Sequence, residues 1–124
     1  MPCRLNCRDE GAKDALNHYL ACSAMVDSVH SAFPRLQRHC DGLTLRDMLL
    51  LNFIGGIGVH DHFIDKPCLV CTVGFVNHCV ILGLNQERHD YRFDKVDFSS
   101  RIRANARHLA AQSKWASHLL AGIG

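Results

Sequence analysis

Residues 67–83 read PCLVCTVGFVNHCVILG, a stretch without a single Asp, Glu, Lys or Arg. Its valines, isoleucine, phenylalanine and threonine are typical of buried strands. We therefore predict two strands, Cys68–Val73 and Asn77–Leu82, with Gly74 in the connection between them. The alternating residues His89–Phe93 predict a third strand. Together these segments predict a small antiparallel sheet.

Helical patterns lie on both sides of this stretch. Apolar residues between positions 12 and 33 recur at helical spacing and predict one helix, or two with a break just before Cys22. A second helix is predicted at Leu45–Phe53, and Ser99 is predicted to cap a final helix over about residues 101–120. N-terminal helices, a small antiparallel sheet and a C-terminal helix make an α+β domain.

Composition limits the possible classes of protein. The chain has 124 residues, which predicts a single domain over 1–124, and its 48% hydrophobic content is enough for an ordinary core. A net charge of +2 gives no reason to expect a nucleic-acid partner. The longest apolar stretch, Met48–Val59, is interrupted by Asn52 and three glycines, so no membrane span is expected.

The cysteines indicate a compartment. Seven cysteines cannot all pair within one chain, and the first residues are polar and do not resemble a signal peptide. Free thiols in a reducing compartment are therefore expected, which predicts a cytoplasmic protein.

Cys22 and His78 are the candidate catalytic pair. Cys22 is predicted at a helix start, where backbone N–H groups favour the thiolate, and Ala21, Ser23 and Ala24 leave room for a substrate. His78 interrupts an apolar predicted strand, where a general base for that thiol could lie. A nucleophile on a helix followed by a base on a sheet is the order used by papain-like hydrolases. Each residue alone is more simply a buried core residue.

Supporting roles follow for nearby polar residues. His89 or Asp90 could orient the His78 ring, although a Cys–His dyad can also work without a third member. The backbone N–H of Cys22 and a side chain such as Asn17 or His18 could form an oxyanion hole.

A metal site is the competing interpretation of the cysteines and histidines. Cys68-x-x-Cys71 could bind zinc, completed by residues from the set His60, His62, His78 and Cys79. Strand alternation would place Cys68 and Cys71 on opposite sides, which disfavours this site. The group of Cys3, Cys7 and Cys40 is weaker still. We therefore predict no metal ligand and no cofactor.

Four segments resemble the papain-like cysteine peptidases of RNA-virus polyproteins, in particular self-cleaving leader proteases of the potyvirus helper-component, hypovirus and arterivirus types. The segments are Leu20–Cys22, Leu43–Leu50, Gly74–Val80 and Ser117–Gly124. The resemblance implies a viral thiol protease that releases itself by one cis cleavage after Gly124. Its partner would be its own polyprotein junction or a peptide substrate, in the host cytoplasm.

Two further hypotheses remain open. Cys22-Ser23-Ala24-Met25-Val26 and the segment after His78 look like the nucleophile helix and histidine strand of NlpC-type cell-wall peptidases. That resemblance implies an amidase or endopeptidase, and His89 falls near the position of the family's third catalytic histidine. The other hypothesis is a non-enzymatic Cys/His-rich domain that binds zinc or a partner protein.

Overall fold

The computed structural model describes residues 2–5, 7–19, 22–39, 67–89 and 97–124. Within these ranges the chain is mainly helical. The helices are α1 (Leu16–Tyr19), α2 (Ser23–Ala32), a 3₁₀-helix (Leu36–His39), α3 (Pro67–Arg88), α4 (Phe98–Gln112) and α5 (Lys114–Ile123). The predicted helix Leu45–Phe53, and the loop that carries His60 and His62, lie outside the described residues.

The predicted α+β class is wrong, because the two predicted strands lie in one continuous helix, α3. Pro2 and Lys13 form an isolated antiparallel β-bridge, and no sheet occurs in the described parts of the chain. Buried positions in α3 recur every three or four residues, which is the helical period. They are Thr72, Val73, Phe75, Val76, Asn77, Cys79, Val80, Gly83, Leu84 and Glu87, whereas the exposed positions Gly74, His78, Asn85 and Arg88 lie on the other face. Burial on one helical face has overridden the strand preference of the β-branched residues.

Two glycines inside α3 contribute to this misprediction, since glycine is a common turn signal. Gly83 allows α3 to approach α4 closely: a Cβ atom there would lie 3.1 Å from the Phe98 ring. Gly74 is exposed, and a Cβ atom there would meet nothing within 4 Å. Packing therefore explains the first glycine and not the second.

The predicted C-terminal helix is two helices. Ser113 has extended backbone angles, φ −147° and ψ 125°, which end α4. Its hydroxyl accepts a hydrogen bond from the Ala116 backbone N–H at 3.4 Å and so caps α5. At the other end of α4 the N-cap is Asp97 rather than Ser99, and the Ser99 hydroxyl donates a hydrogen bond to the Asp97 carboxylate.

The core forms where α2 and α3 pack on α4, and α4 packs on α5. Its largest fully buried apolar side chains are Phe33, Met25, Leu36, Ile102, Ile123, Val29 and Val76. Phe33 follows the last residue of α2 and contacts Phe75 of α3, with ring centroids 6.2 Å apart. The C-terminal end of α2 therefore faces the first half of α3.

Candidate metal centre

Four side chains that can bind metal meet in front of α2. They are Cys3, Cys7, His18 and Cys22, and their ligand atoms all lie within 4.8 Å of one another. Cys3 and Cys7 come from the N-terminal arm, His18 from α1, and Cys22 from the residue that precedes α2. Three separate parts of the chain therefore converge on one point.

The distances in this cluster suit a tetrahedral ion. The Cys3 and Cys22 Sγ atoms are 3.9 Å apart, and the Cys7 Sγ is 3.2 Å from the His18 Nε2. Ligands around a zinc ion with ordinary Zn–S and Zn–N bond lengths are separated by about 3.5–3.8 Å. Small side-chain adjustments would therefore bring all four atoms into one coordination sphere.

The local fold explains why the arm returns to α2. Gly11, with φ of 68°, adopts the left-handed conformation that glycine tolerates best, between Cys7 and His18. The Asp9 carboxylate then accepts hydrogen bonds from the Ser23 backbone N–H at 2.9 Å and from its hydroxyl at 2.7 Å. These bonds lower the pKa of Asp9 and fix the arm to the first residue of α2.

A second set of contacts joins the arm to the end of α3. The Arg4 backbone N–H donates to the Tyr19 hydroxyl at 3.2 Å, and that hydroxyl donates to Asp14 at 2.6 Å. The Arg88 Nε forms an ion pair with Asp14 at 3.2 Å, and the Arg4 guanidinium donates to the Arg88 carbonyl at 2.9 Å. The residues that flank Cys3 and His18 are thereby held against α3.

The pKa values of two thiols in the cluster are raised when no metal is bound. Burial raises the pKa of Cys22 to about 12, against a smaller opposing effect of the Met25 backbone N–H. Burial likewise raises the pKa of Cys7. Cys22 has no exposed surface, and Cys3 is 6% exposed. A cation in the cluster would reverse this effect, because a coordinating thiol is deprotonated.

The local environment also includes groups that suit bound thiolates. The Leu5 backbone N–H donates to the Cys3 Sγ at 3.4 Å. Cys22 is the N-cap of α2, where the partial positive charge of the helix end favours an anion. Thiolates and imidazole are the preferred ligands of zinc. The donor set therefore fits Zn²⁺ better than magnesium or calcium, which prefer oxygen ligands.

The structure does not bring the predicted nucleophile and base together. Cys22 lies before the N-terminus of α2, within the Cys/His cluster. His78 is exposed and lies one turn after Phe75, which contacts Phe33 beyond the other end of α2. A helix of ten residues is about 15 Å long, so the two side chains lie towards opposite ends of α2.

The other predicted site residues also lie in different parts of the structure. Asn17 is exposed and its side chain accepts a hydrogen bond from the His18 backbone N–H at 3.0 Å, while the His18 ring lies in the cluster. His89 is an exposed turn residue after α3, and Asp90 lies outside the described residues. The Gly124 carbonyl accepts a hydrogen bond from the Arg35 Nε at 2.8 Å, at the C-terminal end of α2 and away from Cys22.

The sequence alone leaves the members of this cluster in two separate hypotheses. Cys3 and Cys7 form a weak candidate metal group with Cys40, which lies outside the described residues, whereas Cys22 and His18 are candidates for catalysis. The signal that joins them is Cys3-x₃-Cys7-x₁₀-His18-x₃-Cys22, two short-spaced pairs separated by a loop. That arrangement is typical of zinc sites. Cys71 lies in α3 and is only partly buried, and the side chain of Cys68 is not described.

No described helix combines the length and apolar character needed to cross a bilayer. Comparison of the chain with protein-family models, curated proteins and solved structures gave no match.

Proposed function

We propose that this protein is a zinc-binding domain in which Cys3, Cys7, His18 and Cys22 hold one Zn²⁺ as a structural centre. The observation that carries the proposal is the convergence of four ligand atoms within 4.8 Å. Three thiolates and one neutral imidazole around Zn²⁺ form a complete tetrahedral set.

A structural role is supported by the closed character of the site. Catalytic zinc sites have three protein ligands and keep a fourth position for water or substrate, whereas structural sites use four protein ligands. Here four side chains are available, and Cys3 and Cys22 are buried. The ion would join the N-terminal arm and α1 to α2; among the described residues, the arm and α1 contribute only Cys3 and Tyr19 to the buried apolar side chains.

Metal content is the first test. The protein purified without chelator is expected to contain one zinc per chain. The variants Cys3→Ser, Cys7→Ser, His18→Asn and Cys22→Ser should each lower zinc affinity by more than about 100-fold, because loss of a ligand costs more than loss of a supporting contact. Cys71→Ser and His78→Asn are matched controls, since neither residue belongs to the cluster.

Spectroscopy of the cobalt-substituted protein identifies the ligands. Co²⁺ in a tetrahedral site with thiolate ligands gives intense visible and near-ultraviolet absorption, which should disappear in the ligand variants and persist in the controls. A wild-type protein without stoichiometric zinc, or with equal zinc in Cys22→Ser and Cys71→Ser, would contradict the proposal.

The cysteine peptidase predicted from the sequence makes a different demand on Cys22. A nucleophilic thiol needs an open position and a lowered pKa. Complete burial of the Cys22 thiol leaves no open side for a substrate, which supports the metal role of Cys22 over the nucleophilic one. The peptidase stays testable with a precursor extended beyond Gly124: loss of processing in its Cys22→Ala variant, with processing retained in Cys71→Ala, would favour it.

A further inference from the structure

The three thiols of the Cys/His cluster differ in their access to solvent. Cys3 and Cys22 are buried, and their Sγ atoms are 3.9 Å apart. Cys7 is only partly buried, and its Sγ atom lies within 4.8 Å of both other sulfur atoms. A small oxidant that arrives from solvent therefore meets Cys7 first, with two further thiols directly behind it.

The buried pair is close enough to form a disulfide. A sulfur–sulfur bond is about 2.05 Å long, so each Sγ atom would have to move by about 1 Å. Rotation about the Cα–Cβ bonds moves a sulfur atom this far without a change in the backbone. The bond would join the N-terminal arm to the residue before α2, which are two of the parts that the proposed Zn²⁺ joins.

The other described cysteines do not form such a pair. Cys71 and Cys79 are both free thiols on α3. Residues eight positions apart on a helix are separated by about 12 Å along its axis, which exceeds the limit of roughly 7 Å between the Cα atoms of a disulfide. Among the described residues, the thiols that can combine therefore lie in the Cys/His cluster.

We propose that hydrogen peroxide converts this cluster to a Cys3–Cys22 disulfide, that Cys7 is the thiol that reacts first, and that the Zn²⁺ is released. The release step rests on the proposed function. In the reduced protein the metal holds the arm against α2, and in the oxidised protein the disulfide holds it. The arm is anchored in both states, and oxidation controls only whether the metal is bound.

The first steps consume one molecule of peroxide. A coordinated thiol is deprotonated, so the Cys7 sulfur can attack a peroxide oxygen; the O–O bond breaks, hydroxide leaves and Cys7 becomes a sulfenic acid. The Cys22 thiolate then attacks the Cys7 sulfur and displaces a second hydroxide. Both hydroxides take protons from solvent and leave as water. The peroxide has gained the two electrons that the two thiolates lost in the Cys7–Cys22 bond.

Thiol–disulfide exchange completes the conversion without further oxidant. The Cys3 thiolate attacks the Cys22 sulfur, the Cys3–Cys22 bond forms and Cys7 leaves as a thiolate. The final disulfide joins the two buried residues, so thiols in solution reach it less easily than a bond to Cys7. Only Cys7 and His18 remain as ligands, and two ligands do not complete the tetrahedral set of a structural zinc site.

Peptide mapping tests the product directly, because trypsin places each cysteine of the cluster in a separate peptide. These peptides are residues 1–4, 5–8 and 14–35. The full-length protein is treated with one equivalent of hydrogen peroxide, and its remaining thiols are blocked with iodoacetamide. Mass spectrometry should find peptide 1–4 joined to peptide 14–35, with peptide 5–8 blocked. Cys7 oxidised to sulfinic acid while Cys3 and Cys22 are both blocked would overturn the proposal.

Zinc is measured in the same sample before and after oxidation. Zinc content before peroxide tests the proposed function, and a zinc-sensitive dye should then report one ion released per chain as the crosslink forms. A zinc-loaded protein that forms no crosslink would overturn this inference and leave the structural zinc site intact. A crosslink in a protein purified without zinc would overturn the release step together with the proposed function.

Variants separate loss of the metal from loss of the first thiol. Cys7→Ser and His18→Asn each remove one zinc ligand, but only Cys7→Ser removes the thiol that meets the peroxide. The crosslink should therefore form faster in His18→Asn, and Cys3→Ser should stop at the bond between Cys7 and Cys22. Cys71→Ser should behave as wild type. Equal rates of crosslinking in Cys7→Ser and His18→Asn would overturn the assignment of Cys7.

Thermal unfolding tests whether the disulfide replaces the metal as an anchor. A crosslink between positions 19 residues apart stabilises a protein mainly by restricting its unfolded chain. With chelator present throughout, the peroxide-treated protein should melt roughly 10–15 °C above the untreated protein, and dithiothreitol should remove the difference. Circular dichroism measures both transitions. Equal Tm values before and after crosslinking would overturn the proposal that the disulfide holds the arm.

Discussion

The Sγ atoms of Cys3 and Cys22 lie 3.9 Å apart although the two residues are separated by 19 positions in the chain. Only the return of the N-terminal arm to the start of α2 makes this possible. The arm contributes Cys3, which is 6% exposed, to the edge of the core, and the same residue begins the proposed zinc site. Packing and the proposed metal binding would therefore depend on the same residue at this end of the molecule.

Zinc removal should destabilise the protein. A metal that binds only the folded state stabilises it by about 4 kcal/mol when free zinc exceeds its Kd by 1,000-fold. For a domain of this size, chelation should lower the Tm by roughly 10–20 °C, and added zinc should restore it. Circular dichroism with and without chelator measures the shift. Cys3→Ser should melt at one temperature under both conditions; a chelator effect of wild-type size in that variant would contradict the assignment.

Zinc affinity should rise steeply with pH. Burial raises the pKa of both Cys7 and Cys22, the latter to about 12, so both thiols carry protons at neutral pH and must lose them on binding. Log affinity should therefore rise by at least about 2 per pH unit between pH 6 and 8. Competition with a chelator of known pH dependence measures this slope. A slope below one would show that fewer than two thiols bind the metal.

Cys22 should react slowly with alkylating reagents. A pKa raised by burial from 9.0 to about 12 lowers the thiolate fraction about 1,000-fold at neutral pH, and bound zinc would shield the sulfur further. Mass spectrometry after limited iodoacetamide treatment should therefore find Cys71 modified well before Cys22. The peptidase hypothesis predicts the opposite order, so faster modification of Cys22 would favour it.

The sequence predicts the helical start of the chain better than its centre. The helical period of residues 12–33 predicts one helix, or two with a break just before Cys22, and the structure has the second arrangement, with α1 at Leu16–Tyr19 and α2 beginning at Ser23. In α3 the apolar residues are so dense that the sequence fits the period of a strand as well as that of a helix. Only the buried residues of the folded chain show the helical period. The β-branched residues of this segment have a local preference for strands, whereas packing against α4 stabilises a helix.

The candidate site could not be predicted from the sequence for a different reason. Cys3, Cys7, His18 and Cys22 are all recognisable ligands, but their sequence order does not show that the arm folds back onto α2. That return depends on Gly11 and on the hydrogen bonds from Ser23 to Asp9, contacts between positions 14 residues apart. Such contacts leave no short-range pattern in the sequence, so the sequence alone does not place the four ligands in one site.

The two helical glycines of α3 should respond oppositely to alanine. Gly74→Ala adds a methyl group in open space and replaces the poorer helix former, so it should stabilise the protein by about 0.5–1 kcal/mol. Gly83→Ala places a Cβ atom 3.1 Å from the Phe98 ring and should destabilise it by about 1–3 kcal/mol. Urea unfolding of both variants measures the difference. Equal changes in the free energy of unfolding would show that Gly83 of α3 does not lie close to the Phe98 ring of α4.

Asp14 should contribute to stability in a pH-dependent manner. Its pKa is lowered first by the hydrogen bond from Tyr19 and then by Arg88. A folded-state pKa below the unfolded value of about 3.9 gives a contribution that is present above that pH and is lost as pH falls through the folded value. Asp14→Asn should therefore cost about 1–3 kcal/mol at pH 7 and much less at pH 2–3.

Urea unfolding of chelated wild type and Asp14→Asn at both pH values measures this contribution without interference from zinc release. Glu10→Gln is the control, since Glu10 is an exposed acid of the same arm and should change stability little at either pH. Tyr19→Phe should reproduce part of the Asp14→Asn loss, because it removes the 2.6 Å hydrogen bond and leaves the ion pair with Arg88. A cost of Asp14→Asn that stays constant from pH 7 to pH 2 would mean that the carboxylate is not stabilised in its charged form by these contacts.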